Sequence, residues 1–510
     1  MSSRPTFHPW TKSATLPSTY TRTLTAAEFM LSMLNEYALG HNCPYLGATV
    51  SVQRAEGSSA AAAFSVEELT SKVTRAFVQT RWTYPIVASQ LDGSKQIVYK
   101  VEDEAQVAQW AERTVQTVQS GGGWLGLQEK ISQQDALPSK DGDCALLYLV
   151  VSPDEASKSQ ITKFDLLLHM HHSLADGTSL RSLMNDLLHS LAKPSLSTSY
   201  TWGEEVERLS PAALDVAILS DEVAKSISEL PKEIPLPPLE KVQSPRAGTG
   251  LVTHTFKSDG FLNRLLALAR TNSVKLTAFL QASLVLTAFN EAQSASSIEA
   301  CTVLSAFDLR ARNLVEPWNQ RDKFIGVAVG LDMTQIPIAL LSDASTDRLW
   351  ALARHCQEHW DAVAGQQNIA AAGELRKAAS GFILKSVLAE VNAPPSKTNL
   401  NLNYVSDPAG SAQLDGVYAF ENDAQSKLVL DHYQLITDDS TSKLQVPIPP
   451  KTRIKLSERP ANPNCNRSCR SHSWNDELTL SVSFNLGQHA KEEVQAFLGK
   501  WIQALEALVQ

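Results

Sequence analysis

The chain has 510 residues, 43% of them apolar and 19% charged, with 45 Lys+Arg against 54 Asp+Glu for a net charge of −9. That is enough apolar material for more than one core and excludes a mostly disordered chain. The mild negative charge excludes the basic face a nucleic-acid binder needs and gives no reason to expect an anionic membrane as partner. Six cysteines cannot form a disulfide scaffold in a chain of this length, so reduced thiols are expected. The first residues carry no apolar h-region and no run of about 18 apolar residues occurs. A cytoplasmic protein without a membrane span is therefore expected.

Taken in chain order, Thr25 and Glu28 form a capping box that opens a helix through Phe29, Leu31, Leu34 and Leu39. Residues 46–53 read as a strand, and Ser65 and Glu68 cap a second helix running to about Arg81. Strands are expected at 84–90 and 95–101 around the Asp92-Gly93 turn, then helix over 103–119, ended by Ser120–Gly123. Two strongly apolar strands follow at 145–151 and 161–170, then a helix over 178–191. Residues 193–250 carry seven prolines and read as a crossing linker with a short helix near 211–229.

The alternation restarts with a strand at 251–256 and helices at 261–270 and 276–291. Strands are expected at 298–309 and 324–331, long helical stretches over 345–391, and strands again near 399–406, 416–421, 428–437 and 477–485. An amphipathic helix runs over 491–508. Residues 446–474 are proline-rich, basic and aperiodic, and read as a surface loop. The organisation expected is a first lobe at 1–192, the linker at 193–250 and a second lobe at 251–510.

One segment carries chemistry. Residues 164–177 deliver His169, His171 and His172 to the end of an apolar strand, and Asp176-Gly177 turns the chain into a helix. A strand end fixes an imidazole while leaving it able to face a cleft, and imidazole takes and returns a proton near neutral pH. Gly177 permits a backbone angle or a close approach that a Cβ would block. A polar loop and a metal site are the competing readings. His169 and His171 share one face of a strand, but no HExxH is present and no cysteine lies close in sequence, so no metal is expected. His169 reads as a packed strand histidine. Absence of GxSxG removes a serine hydrolase.

His171-His172-Ser173-Leu174-Ala175-Asp176-Gly177 matches HHxxxDG, and the chain thereby resembles the thioester-dependent acyltransferase superfamily. That group includes chloramphenicol acetyltransferase, the condensation domains of peptide synthetases, and alcohol and plant-type acyltransferases. Within it the sequence is similar to the stand-alone fungal trichothecene 15-O-acetyltransferase type. Ser305–Arg312 resembles the family's strand-end DxR segment, and Phe324–Gly330 its following glycine-containing strand. The plant-type DFGWG segment is absent; Asp415-Gly416-Val417-Tyr418 stands in that region.

The resemblance implies an α/β (α+β) fold of two chloramphenicol-acetyltransferase-like lobes, mixed sheets flanked by helices, with an active-site channel between them. It implies that His172 is the general base in direct transfer from acetyl-CoA or another acyl-CoA, a co-substrate, to a hydroxyl of a small secondary metabolite. It gives Asp176 a salt bridge to Arg310, with His171 and Gly177 as structural support. No CoA-binding residue and no donor for the thioester oxyanion follow from the sequence. Two alternatives stand beside this: condensation-type transfer from an acyl carrier protein acting in trans, and a metabolite-binding or scaffold protein on the same fold. A monomer with no bound cofactor is expected.

Overall fold

The computed structural model describes residues 6–53, 64–93, 95–134, 136–193, 199–231, 233–234, 236–241, 246–257, 259–293, 298–343, 345, 347–366, 368–392, 399–407, 414–420, 423–438 and 467–509. Two six-stranded mixed sheets dominate. The first runs, in spatial order, Val417–Phe420, Asp423–Thr437, Pro44–Gln53, Lys163–Met170, Ala145–Val151, Val115–Gln119. The second runs Val329–Ile336, Ala300–Asp308, Asn399–Asp407, Arg467–Trp474, Glu477–Asn485, Thr249–Phe256. The resulting mixed α/β architecture, with helices packed on the sheets, is the fold class the motif implies.

Local chemistry explains most elements. The capping boxes at Thr25 and Ser65 form as written, and a third opens Glu104–Thr114, with Asp103 accepting from Gln106 N. That third helix stops at Thr114 rather than 119, because Val115-Gln-Thr-Val-Gln119 alternates β-branched and polar residues and pairs parallel to Ala145–Val151 as an edge strand. Gly123, expected as a helix breaker, instead starts the helix Gly123–Gln134. Its φ of +61° suits glycine, and the carboxylate of Asp165 accepts the N–H of Trp124 at 2.9 Å. The strand expected at 84–90 is largely a 3-10 turn, Pro85–Ala88, with strand only at Gln90–Asp92.

Two results differ from expectation and shape the site. The strands Val417–Phe420 and Asp423–Thr437 lie late in the chain yet join the first sheet, Asp423–Thr437 pairing antiparallel with Pro44–Gln53. A division of the chain at 251 is therefore not a division of the sheets. The surface loop expected at 446–474 is corrected over its last part: Arg467–Trp474 is a strand with all eight residues buried, between Asn399–Asp407 and Glu477–Asn485. Residues 446–466 lie outside the described residues.

That strand is buried although it reads Arg-Ser-Cys-Arg-Ser-His-Ser-Trp, because both of its faces find polar partners. On the helix side Arg467 pairs with Glu493 at 2.8 Å, and Cys469 joins the second sheet's core. On the other side Arg470 donates to Thr437 Oγ1 at 3.2 Å, His472 lies 5.3 Å from the Tyr433 ring, and Trp474 joins the first sheet's core. The two sheets thus meet along a seam. Further ties across it are Gln434 Nε2 to Ser481 Oγ at 3.0 Å and Thr249 Oγ1 to Asp438 Oδ1 at 3.0 Å. No helix among the described residues is long and apolar enough to cross a membrane.

Candidate active site

Lys163–Met170 is interior to its sheet, and its run Leu166-Leu167-Leu168 is buried on both faces, so the strand is rigid where it ends. His169 is 1% exposed and stacks on Tyr45 with ring centroids 4.0 Å apart. Burial drives its pKa well below the ordinary range, as a packed strand histidine requires.

Beyond the strand the chain turns. His171 N–H donates to Cys144 O at 2.8 Å, and Leu174 N–H returns to His171 O at 3.0 Å. The His171 ring is buried, and its Nδ1 accepts the N–H of Ser173 at 3.2 Å, so it is neutral; burial pushes its pKa down to about 3. Ser173 Oγ donates to the carbonyl of Glu28 at 2.9 Å and fastens the turn to the first helix.

His172 sits at the exposed side of this turn, partly open where its neighbours are closed. Its Nδ1 lies 3.1 Å from the carbonyl of Ala175. A carbonyl only accepts, so Nδ1 carries the proton and the lone pair of the neutral ring is on Nε2. Burial lowers the pKa of His172; Asp176 pulls the other way and the charge of Arg470 adds to the lowering. The arrangement therefore presents an unprotonated, oriented imidazole that can take a proton at Nε2.

Asp176 turns inward. It caps the helix Gly177–Ala192 by accepting from Ser179 N at 2.9 Å. Its two oxygens also meet Arg310 as a fork, NH1 to Oδ2 at 2.9 Å and NH2 to Oδ1 at 3.0 Å, and Oδ2 accepts the N–H of Ala328 at 2.9 Å. Burial alone would raise the pKa of Asp176, but Arg310 and these N–H groups outweigh it and hold the carboxyl below its usual range. Arg310 is fully buried and spends its remaining donors on Phe324 O at 3.1 Å, Gly326 O at 3.1 Å, Ser179 Oγ at 2.8 Å and Asp308 Oδ1 at 2.9 Å.

The structure thus brings His171, His172, Asp176, Gly177 and Arg310 together. Gly177 is needed for close approach rather than for its backbone angle, since a Cβ there would lie 2.4 Å from Leu435 Cδ2. Residues 324–328, expected as strand, are irregular, and the strand begins at Val329. Their backbone groups serve Asp176, Ser179 and Arg310 instead of a neighbouring strand. Sequence reasoning missed Ser179, whose hydroxyl accepts from Gly326 N at 2.9 Å and donates to Gly326 O at 2.8 Å. Its spacing of three from Asp176, the N-cap pattern, was the available signal. It also missed Arg470, hidden in a segment without periodicity.

Among the described residues no group of three or more His, Cys, Asp or Glu could hold a metal ion. A cavity of about 290 Å³ between the edge strand Thr249–Phe256 and the helix Lys491–Val509 is lined by none of the motif residues.

A family model described as 15-O-acetyltransferase Tri3 matches residues 3–234. An acyl-CoA-dependent acyltransferase, MAC1, of Pseudozyma antarctica (strain T-34) is 30% identical over 190 residues, 35% of this chain and 34% of that protein. The trichothecene O-acetyltransferase TRI3 of Trichoderma arundinaceum is 26% identical over 230 residues, 41% of this chain and 43% of that protein. The matches thus span under half the length of these relatives. The solved structure of the TRI3 trichothecene 15-O-acetyltransferase from Fusarium sporotrichioides shares the fold, with a TM-score of 0.75 at 16% identity, over 99% of each chain.

Proposed function

We propose that this chain is a member of the HHxxxDG thioester-dependent acyltransferase superfamily and an acyl-CoA-dependent O-acyltransferase that acetylates a hydroxyl of a secondary metabolite. The names of its relatives support acetyl as the group transferred and a trichothecene-like alcohol as the acceptor class. The observation that carries the reading is the tautomer of His172. With Nδ1–H spent on Ala175 O, the base at Nε2 is unprotonated and fixed in direction beside the seam between the sheets.

In the proposed step the acceptor hydroxyl gives its proton to Nε2 of His172 as its oxygen attacks the thioester carbonyl carbon. The carbonyl electron pair moves to oxygen, giving a tetrahedral oxyanion. Collapse breaks the C–S bond, and the proton held on His172 passes to the leaving sulfur. The products are the ester and CoA–SH, with no acyl-enzyme. Asp176 does not take the proton. Its carboxylate is committed to Arg310, and its role is to hold the turn that carries His172. Holding both substrates against one imidazole removes much of the entropic barrier.

In this reading two lobes, 1–192 and 251–510, joined by 193–250 and interlocked where Val417–Phe420 and Asp423–Thr437 join the first sheet, enclose a channel, and the protein works in the cytoplasm as a monomer. The test is incubation with acetyl-CoA and candidate alcohols, following free thiol and ester. Thiol release that requires both substrates is the expected result. Release only from an acylated carrier protein replaces the donor. No release from any thioester leaves a binding protein and ends the enzymatic reading.

A further inference from the structure

The sequence names no group to meet the negative oxygen of the tetrahedral intermediate. We propose that Arg470 meets it: its guanidinium, carried across the seam by the second sheet, supplies the positive charge beside His172 that stabilises the thioester oxyanion. The inference rests on the acyl-transfer reading above and deepens it.

The strand Arg467–Trp474 alternates strictly. Arg467 and Cys469 face the helices, while Arg470, His472 and Trp474 face the first sheet, each against Asp423–Thr437 or the core behind it. Arg470 is therefore aimed at the first sheet by strand parity, and register places it beside Val405 on one side and Ser481 on the other.

Where it lands is the end of the first sheet from which the histidine turn leaves. Arg470 donates to Thr437 Oγ1 at 3.2 Å, and Thr437 pairs with Pro44. Pro44 lies between Cys43 and Tyr45, and Tyr45 pairs with His169, two residues before His171 of the turn. Leu435, two residues before Thr437, is the side chain that a Cβ on Gly177 would strike. A guanidinium 6% exposed, in this position, acts at low dielectric on whatever charge develops beside the imidazole. Its planar fork suits an oxyanion better than an ammonium would.

His171 is held neutral in the same turn as His172, Asp176 is neutralised by Arg310 behind it, and the Cys43 thiol is held protonated, its pKa pushed up to about 12. Among the described residues Arg470 is a cation whose charge reaches the imidazole, in the direction that disfavours its protonation. One side chain thus acts on both halves of the step: it keeps Nε2 able to accept the acceptor's proton, and it receives the electron pair that the attack pushes onto the thioester oxygen.

Arg470→Gln and Arg470→Lys test this in two assays. In the first, steady-state kinetics use an acceptor turned over by the wild type. Arg470→Gln should lose about 10²–10³ in kcat with both KM values little changed, as for loss of an oxyanion donor, and Arg470→Lys should recover part of it. Unchanged kcat, or a loss confined to KM or melting temperature, overturns the proposal.

The second assay needs no substrate. Carbethoxylation of His172 by diethyl pyrocarbonate, followed by peptide mass spectrometry across pH, reports the neutral imidazole. Removing the cation raises proton affinity, so the midpoint should move to higher pH in Arg470→Gln and stay near the wild-type value in Arg470→Lys. Coincident midpoints in all three proteins overturn the proposal even if no acyl-CoA is ever accepted; absence of thiol release with a shifted midpoint overturns only the acyl-transfer reading.

Discussion

Two interior strands carry the site, and they could hardly differ more in composition. Lys163–Met170 reads Lys-Phe-Asp-Leu-Leu-Leu-His-Met and is buried because its side chains are apolar. Arg467–Trp474 is buried at every position, yet carries two arginines, a histidine and three serines. The first is covered by its own sheet's core; the second is covered on one side by the opposite sheet, whose polar groups answer its own. Hydrophobicity marks a strand that buries itself in a core, whereas a strand buried in a seam is marked by partners that lie far away in sequence.

The largest effect should come from the histidine that the apolar strand delivers. His172→Ala should cost about 10²–10⁴ in kcat, the usual contribution of a general base, with urea unfolding and circular dichroism unchanged. A variant with wild-type turnover would remove the proposed chemistry from this strand altogether.

Asp176→Ala should instead break the structure around it. It leaves Arg310 buried beside only the partly exposed Asp308, and strips a cap and an acceptor from Ser179 N and Ala328 N. Removing one member of a buried pair costs roughly 3–5 kcal/mol, read as a lower urea midpoint with unchanged slope. If instead stability holds and only turnover falls, Asp176 takes part in the chemistry.

The contrast between the strands sharpens with a matched pair of truncations. Leu168→Ala, in the apolar strand, should cost about 2–5 kcal/mol through the cavity it leaves. Ser481→Ala, beside Arg470 in the seam, removes the shorter of two acceptors of Gln434 Nε2, leaving Leu435 O at 3.3 Å, and should cost about 1–3 kcal/mol for the buried N–H left unsatisfied. Equal losses in thermal denaturation would mean that the seam is packed as a core, contrary to the distinction drawn above.

Legibility follows the same line. The sheets' apolar strands, the two capping boxes at Thr25 and Ser65 and the motif could be read because each signal is local: a run of leucines, a Thr or Ser with Glu three residues on, Asp176-Gly177 before its helix. The ligation of Asp176 by Arg310 spans 134 residues and was implied only by resemblance, not by any spacing in the chain. Arg470 and the burial of Arg467–Trp474 had no local signal at all, since their partners Tyr433 and Thr437 come from one distant strand and Glu493 from the last helix. Residues 324–328 misled for a related reason. Their composition suits a strand, but their N–H and C=O groups are claimed by side chains from elsewhere.

Acid should expose a further difference, within the turn that follows the apolar strand. His171, in the turn after the apolar strand, is buried neutral with its pKa held at about 3, whereas in the unfolded chain it returns to about 6.5. Between those values the unfolded chain binds a proton that the folded chain refuses. The contribution is thus complete above pH 6.5 and is lost as pH falls from there toward 3, at up to about 1.4 kcal/mol per pH unit. His169 is shifted the same way and adds to the slope. Asp176, held below its ordinary value, acts in a separate window, its contribution being lost only below about pH 4. Urea midpoints at pH 7, 6 and 5 should therefore already fall before the carboxylates titrate. His171→Asn can keep an acceptor for Ser173 N–H while removing the titration, so its midpoints should fall less steeply over the same range. Parallel slopes in the two proteins would mean that His171 protonates freely in the folded state, and that the turn holding His172 is open to water.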